Sequence, residues 1–240
     1  IIEMGGKNPA IVTQNGNLDI AAEGIMRSAF GFGGQKCSAC SRAYIEQSVF
    51  HEFLDLLIHK TQSLIIGNPA DQNTFLGPLI NASAYDDFQS YIESAHKDGS
   101  VLTGGKLYSH SNLDNGFFVE PTIITDLDEN HLLVKSELFC PILYIRPVKN
   151  LEEALIFAND TEYGLTAGFF SEDQEEIDLF FNTIRAGVTY VNRRSGATTG
   201  AWPGVQPFCG WQSSGSTGKG CCGPYYVTQF MREQSRTVMT

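Results

Sequence analysis

Two hydrophobic periods alternate along this 240-residue chain, and that alternation restricts its fold more than any other feature. PAIVT (9–13) is a short apolar run with β-branched residues, and after QNGN a helical stripe of Ala22, Ile25, Met26, Ala29 and Phe30 follows. RAYIEQ (42–47) predicts a second strand. SVFHEFLDLLIHKTQSLIIG (48–67) predicts a helix in which Phe50, Phe53, Leu54, Leu57, Ile58, Leu64 and Ile65 share one face, ended by Gly67 and Pro69. A helix over 82–97 comes next, then VLTGG and FFVEPTIITDL, where Pro121 predicts an edge or a break. ILYIRPV (142–148), NLEEALIFAND, LTAGFFS, EDQEEIDLFFNTI and AGVTYVNR (186–193) complete the series as strand, helix, strand, helix, strand. Parallel neighbours need a crossover, so this order predicts an α/β fold: an open, doubly wound, mostly parallel sheet with helices on both faces, in one large domain. From Arg194 to Pro224 the periodicity gives way to a glycine-rich stretch bearing both tryptophans, the composition of binding loops.

Composition narrows the function classes. The apolar fraction of 42% and charged fraction of 18% are those of a globular protein, and no run approaches the ~18 apolar residues of a membrane span. With 27 acidic and 16 basic residues, the formal charge of -11 repels phosphate backbones and anionic lipid, so neither nucleic acid nor membrane is an expected partner. Six cysteines in a chain of this length fit a reducing compartment, the cytoplasm or a mitochondrial matrix, better than a disulfide framework. The opening IIEMGGKNPA has no basic and apolar leader and reads as the interior of a longer protein.

The stretch FGFGGQKCSACSR (30–42) holds the main chemical candidate. Cys37-x-x-Cys40 supplies two of the four ligands a zinc site needs, and Cys221-Cys222 are adjacent rather than spaced to complete it, so no metal is expected. A redox dithiol of this spacing normally follows a strand, whereas a helical pattern precedes this one. Two packed structural thiols are the plain alternative. GSTGKG (215–220) and GGKN (5–8) lack phosphate-loop spacing, and Asp55 stands where a His51-Glu52 metalloprotease helix needs a second histidine. Cys37 stands out by its setting among small residues beside Lys36, where a cation favours thiolate. Glu3, in EMGG, is a candidate base, since two glycines permit close backbone approach to a reacting centre.

Five stretches in order across nearly the whole chain resemble the aldehyde dehydrogenase superfamily: EMGGKNP its E-L-G-G-K-x-P segment, GGQKCSACSR its G-Q-x-C segment, SELFCPIL its E-[EI]-F-G-P segment, then YGLTAGFFS and PFCGWQSSG. Within it, GFGGQKCSACSR, VEPTII and the tail QPFCGWQSSGSTGKGCCGPYYVTQF are most similar to the branch that oxidises glutamate 5-semialdehyde to glutamate in proline catabolism. The resemblance implies Cys37 as nucleophile and Glu3 as the base that activates hydrolytic water. It implies Glu137 and Phe139 as contacts to the nicotinamide ribose and ring of NAD, and Ser38 with the backbone at Cys222 and Gly223 as anchors for the substrate's α-carboxylate. It further implies a catalytic domain over 1–224 and a C-terminal oligomerisation strand over 225–240, pairing in a homo-oligomer. The NAD-binding domain would precede this chain, which alone would be inactive as a dehydrogenase. Other aldehyde specificity, or an inert or weakly esterolytic domain, are the alternatives. Cys140, Cys209 and Cys221-Cys222 depart from glycine-bearing positions of the pattern, at a cost of order 1 kcal/mol each wherever the backbone needs positive φ. Cys40 is expected to be a packed thiol one helical turn from Cys37.

Overall fold

The computed structural model describes residues 4–109, 113, 116–200, 204–216 and 219–240. In chain order the elements are β1 (Asn8–Val12), α1 (Leu18–Phe30), β2 (Cys40–Glu46), α2 (Phe50–Gln62), α3 (Ala82–Asp98), β3 (Ser100–Thr103), β4 (Thr122–Thr125), α4 (Leu132–Lys135), β5 (Ile142–Val148), α5 (Leu151–Asn159), β6 (Tyr163–Gly164), β7 (Thr166–Phe170), α6 (Gln174–Thr183), β8 (Val188–Val191) and β9 (Trp211–Gln212). Seven strands form one sheet in the order β3-β4-β5-β2-β1-β7-β8. Every pair in it is parallel except β3 with β4. β6 and β9 make a separate two-residue antiparallel pair.

The strand period of two divides the core into two layers. Ile11, Tyr44, Tyr144 and Phe169 face α3, α5 and α6, packing with Phe88, Leu155 and Phe180. Their neighbours Ala10, Val12, Ala43, Ile45, Leu143, Ile145 and Phe170 face α1 and α2, packing with Ile25, Phe30, Phe53 and Leu57. The expected doubly wound sheet is therefore present. Five of the helices begin on a side-chain cap: Asn17, Asn81, His131, Asn150 and Asp173 each accept a backbone N–H of the first turn. One departure has a local cause. α2 stops at Gln62 although the apolar stripe continues, because the carbonyl of Ile65 accepts the N–H groups of Phe75 and Leu76. At Pro121 the expected break is met, since β4, an interior strand, begins only at Thr122 and needs no N–H from the proline.

Among the described residues, 231–240 form no ladder with any other segment and are exposed, following a single 3₁₀ turn at Val227–Phe230. The expected C-terminal strand is thus not formed within this chain. Among the described residues, no helix is long and apolar enough to cross a membrane.

Candidate active site

The amino ends of five adjacent strands bring the sequence motifs to one edge of the sheet. Gly5 and Gly6 precede β1, Cys37 precedes β2, Glu137 to Pro141 precede β5, Leu165 precedes β7 and Gly187 precedes β8. Ligands of open parallel sheets usually lie at the carboxyl ends of strands, so this edge is the less common choice.

Cys37 reaches that edge through an unusual turn. After α1, Phe32, Gly33 and Gly34 take φ of 60°, 68° and 66°, three successive left-handed residues that reverse the chain. Glycine adopts this freely, but Phe32 does so at a cost of about 1 kcal/mol. A β-carbon on Gly34 would collide with the carbonyl oxygen of Cys140, so the glycine also lets the cysteine loop touch the SELFC segment. Lys36 folds back, its Nζ 3.3 Å from where a β-carbon on Gly31 would stand, at the C-terminal end of α1. Burial lowers the Lys36 pKa.

Two side chains fix the loop. Asn8, 1% exposed, donates through Nδ2 to the carbonyls of Cys37 (2.8 Å) and Ala39 (2.9 Å), while its Oδ1 accepts the N–H of Thr166 (3.0 Å). It ties β1, the cysteine loop and β7 together with its two donors and its acceptor all used. Thr198, fully buried, donates to the carbonyl of Ser38 at 2.7 Å, and its backbone N–H donates to Ser28 Oγ on α1. Ser38 is itself buried.

The EMGG segment closes against the same loop. A β-carbon on Gly6 would stand 2.6 Å from the carbonyl oxygen of Cys37, and one on Gly5 would strike the carboxylate of Glu137. That carboxylate accepts the N–H of Gly6 at 3.1 Å. Burial raises the Glu137 pKa, with the Gly6 N–H and the Lys7 charge opposing the shift. Buried Ser214 accepts the N–H of Gly164 and donates to the carbonyl of Gly5 at 2.7 Å, while the Met4 N–H donates to the Ser214 carbonyl. Glu3 lies outside the described residues.

Behind the site, Lys7 and Arg42 are fully buried basic side chains held by main-chain oxygens. Lys7 Nζ donates to the carbonyl of Leu133, and burial, with the Arg42 charge adding, lowers its pKa to about 7. Arg42 donates to the carbonyls of Lys7, Phe157 and Ala158. Cys40 is the first residue of β2 rather than one helical turn from Cys37, a correction that follows from the reversal at Phe32 to Gly34. It is a packed thiol, and burial pushes both it and Cys140 up to about 12.

Phe139 has φ 55° and is 47% exposed. With Phe32, Gln35, Phe75, Leu79 and Ile80 it borders a cavity of 560 Å³. On the other side, Cys37 and Cys221 pack against one apolar cluster of Leu165, Val188, Tyr190 and Phe208. The carbonyls of Cys221 and Cys222 accept from the N–H groups of Phe208 and Gly204, and Gly223 packs on Pro207. Of the four cysteines at glycine-bearing positions, Cys222 alone takes positive φ, 65°. The structure thus brings Cys37, Ser38, Glu137, Phe139 and the loop of Cys222 and Gly223 to one edge. Asn8, Thr198, Ser214 and Arg42, absent from the sequence reading, hold them there.

The model of the aldehyde dehydrogenase family matches residues 1–235. The chain belongs to the aldehyde dehydrogenase family. It is 41% identical over 238 residues to the 1-pyrroline-5-carboxylate dehydrogenase of Geobacillus sp. strain WCH70, covering 99% of this chain and 44% of the relative. Among solved structures, Thermus 1-pyrroline-5-carboxylate dehydrogenase with bound NAD superimposes with a TM-score of 0.88 at 37% identity, over 95% of this chain and 42% of that one. Proline utilization A from Bdellovibrio bacteriovorus gives 0.90 at 38% identity, over 97% and 23%. The chain spans less than half the length of the curated relatives it matches.

Proposed function

We propose that this chain is the catalytic part of an NAD-dependent aldehyde dehydrogenase that oxidises glutamate 5-semialdehyde, the open form of 1-pyrroline-5-carboxylate, to glutamate. The carrying observation is the thiol-bearing loop of Cys37, fixed by Asn8 and Thr198 against the EMGG segment and Glu137. Its likeness to 1-pyrroline-5-carboxylate dehydrogenases supports the substrate class.

In this reading the thiolate of Cys37 adds to the aldehyde carbon, and the carbonyl oxygen becomes an alkoxide that the Cys37 N–H stabilises. Glu137 and Phe139 would hold NAD, which would supply the hydride acceptor for this oxidation, and Cys37 would be left carrying the acyl group as a thioester. Glu3 removes a proton from water, the water oxygen attacks the thioester carbon, and the carbon–sulfur bond breaks to return the thiolate. The links from Met4 and Gly5 to Ser214, and the closeness of Gly6 to Cys37, tether the chain next to Glu3 to the reacting loop. The residues fit the cofactor: Gly6 engages Oε1 of Glu137, leaving Oε2 as an acceptor for ribose hydroxyls, and Phe139 offers an exposed ring for the nicotinamide. Ser38 and the backbone of Cys222 and Gly223 anchor the α-carboxylate. Residues 1–224 carry the chemistry. Residues 225–240 pair with a second copy, consistent with exposure of Tyr225, Val227, Phe230, Met231, Val238 and Met239.

The test is NADH formation by the protein carrying this chain together with its cofactor-binding part, with glutamate semialdehyde and with an aldehyde lacking the α-carboxylate. Preference for the carboxylate-bearing substrate supports the specificity, and equal turnover of both overturns it while leaving the reaction type standing. This 240-residue chain alone is expected to fall far below the ~1–1000 turnovers per second of ordinary enzymes.

A further inference from the structure

Cys221 and Cys222 are adjacent in sequence, and the Sγ of Cys222 donates to the Sγ of Cys221 at 3.7 Å. Both are partly exposed, whereas Cys40 and Cys140 are buried. The left-handed φ of 65° at Cys222 accompanies this pairing. We propose that Cys221 and Cys222 form a redox-active vicinal dithiol, a reversible modification site that closes to an intraloop disulfide by exchange with a small-molecule disulfide such as oxidised glutathione. The proposal does not depend on the substrate reading.

The exchange balances in two steps. One cysteine, as thiolate, attacks a sulfur of the small disulfide, forming a mixed disulfide and expelling one small thiolate. The neighbouring thiol, after losing its proton, attacks the protein-side sulfur, closing the Cys221–Cys222 bond and expelling the second small thiolate. Two electrons pass from the protein to the small disulfide, and the two protons end on the two released thiols. Proximity favours the second step over accumulation of the mixed adduct.

Strain makes the product labile. Ordinary disulfides join α-carbons about 4.4–6.8 Å apart, whereas consecutive α-carbons stand about 3.8 Å apart across a trans peptide. A ring closed on adjacent residues is therefore more easily reduced than a structural disulfide, the behaviour of regulatory rather than permanent bonds. Closure must also turn the peptide between the two residues, whose carbonyls hold Phe208 and Gly204, and Cys221 shares its apolar cluster with Cys37. The site therefore lies beside the proposed nucleophile.

The rival partners are near. Cys209 lies against the same loop, since a β-carbon on Gly220 would collide with its Cβ. Trypsin distinguishes them, because cleavage after Lys219 and Arg232 releases one peptide holding Cys221 and Cys222 and no other cysteine. The folded chain is incubated with oxidised glutathione, remaining thiols are blocked, and the tryptic peptides are weighed. The expected result is that peptide 220–232 loses two hydrogens, carries neither glutathione nor blocker, and regains both hydrogens with dithiothreitol. Phenylarsine oxide, which forms two As–S bonds with loss of water, should be captured one per chain at this peptide, and Cys221→Ser should abolish both reactions. A stable glutathione adduct, a crosslink to the peptide of Cys209 or Cys37, or full protection of both thiols overturns the proposal.

Discussion

Replacing Asn8 with alanine removes the side chain that joins three segments of the site. Two of its partners, the Ala39 carbonyl and the Thr166 N–H, belong to buried residues, and the third is the carbonyl of Cys37 itself. A buried polar group left unpaired costs roughly 1–3 kcal/mol, so Asn8→Ala should destabilise the chain by about 3 kcal/mol or more. Asn8→Asp is nearly isosteric and keeps the acceptor for Thr166, but it sets a carboxylate against two carbonyl oxygens. It should therefore cost at least as much as alanine. Urea unfolding gives the stability difference, and the iodoacetamide rate at Cys37 reports the loop. The expected outcome is a lower midpoint for both variants together with altered Cys37 labelling under folding conditions. An Asn8→Ala variant within about 1 kcal/mol of wild type, or one that is destabilised with unchanged Cys37 labelling, refutes this role of Asn8.

Cys222→Gly should raise stability by about 1 kcal/mol, because glycine adopts the observed φ of 65° without a β-carbon penalty; a loss measured by thermal unfolding would contradict the backbone argument. Glu137→Gln tests the buried carboxylate. The folded pKa of Glu137 is raised, so its contribution is most favourable below the ordinary glutamate value of about 4.3 and is lost as pH rises through the raised value. Denaturation across that window should show the glutamine variant gaining on wild type with rising pH, and the opposite trend refutes the assignment. At neutral pH iodoacetamide should spare Cys40 and Cys140, whose thiols burial pushes up to about 12, until the chain is unfolded; peptide mapping that finds either labelled in the folded state contradicts their packing.

Much of this arrangement was legible in the sequence because it rests on periodicity. The stripes of α1 and α2 and the strand runs of β1, β2, β5 and β7 do in the fold what their spacing implies. Contacts across long sequence separations were not legible. Nothing near Asn8 announces that it serves Ala39 and Thr166, and Ser214 reaches Gly5 across 209 positions. The end of α2 was hidden too, since Leu64 and Ile65 continue the stripe while tertiary hydrogen bonds to Ile65 pull the chain out of the helix. Glycine close packing was legible only as permission: Gly5 and Gly6 predicted a close approach, and the fold supplied Glu137 and Cys37 as the groups approached. The cost assigned to cysteines at glycine-bearing positions holds for Cys222 and not for Cys140, Cys209 or Cys221, because φ at a single residue is set by the whole loop.

The central claim is that Cys37 is the nucleophile of this edge. Incubating the chain with 4-nitrophenyl acetate, following nitrophenol release and mapping the acetylated peptide puts it to the test. An acetyl group is expected on the peptide of Cys37, with release that collapses in Cys37→Ala. Equal release by wild type and Cys37→Ala, with the acetyl group elsewhere, would contradict it.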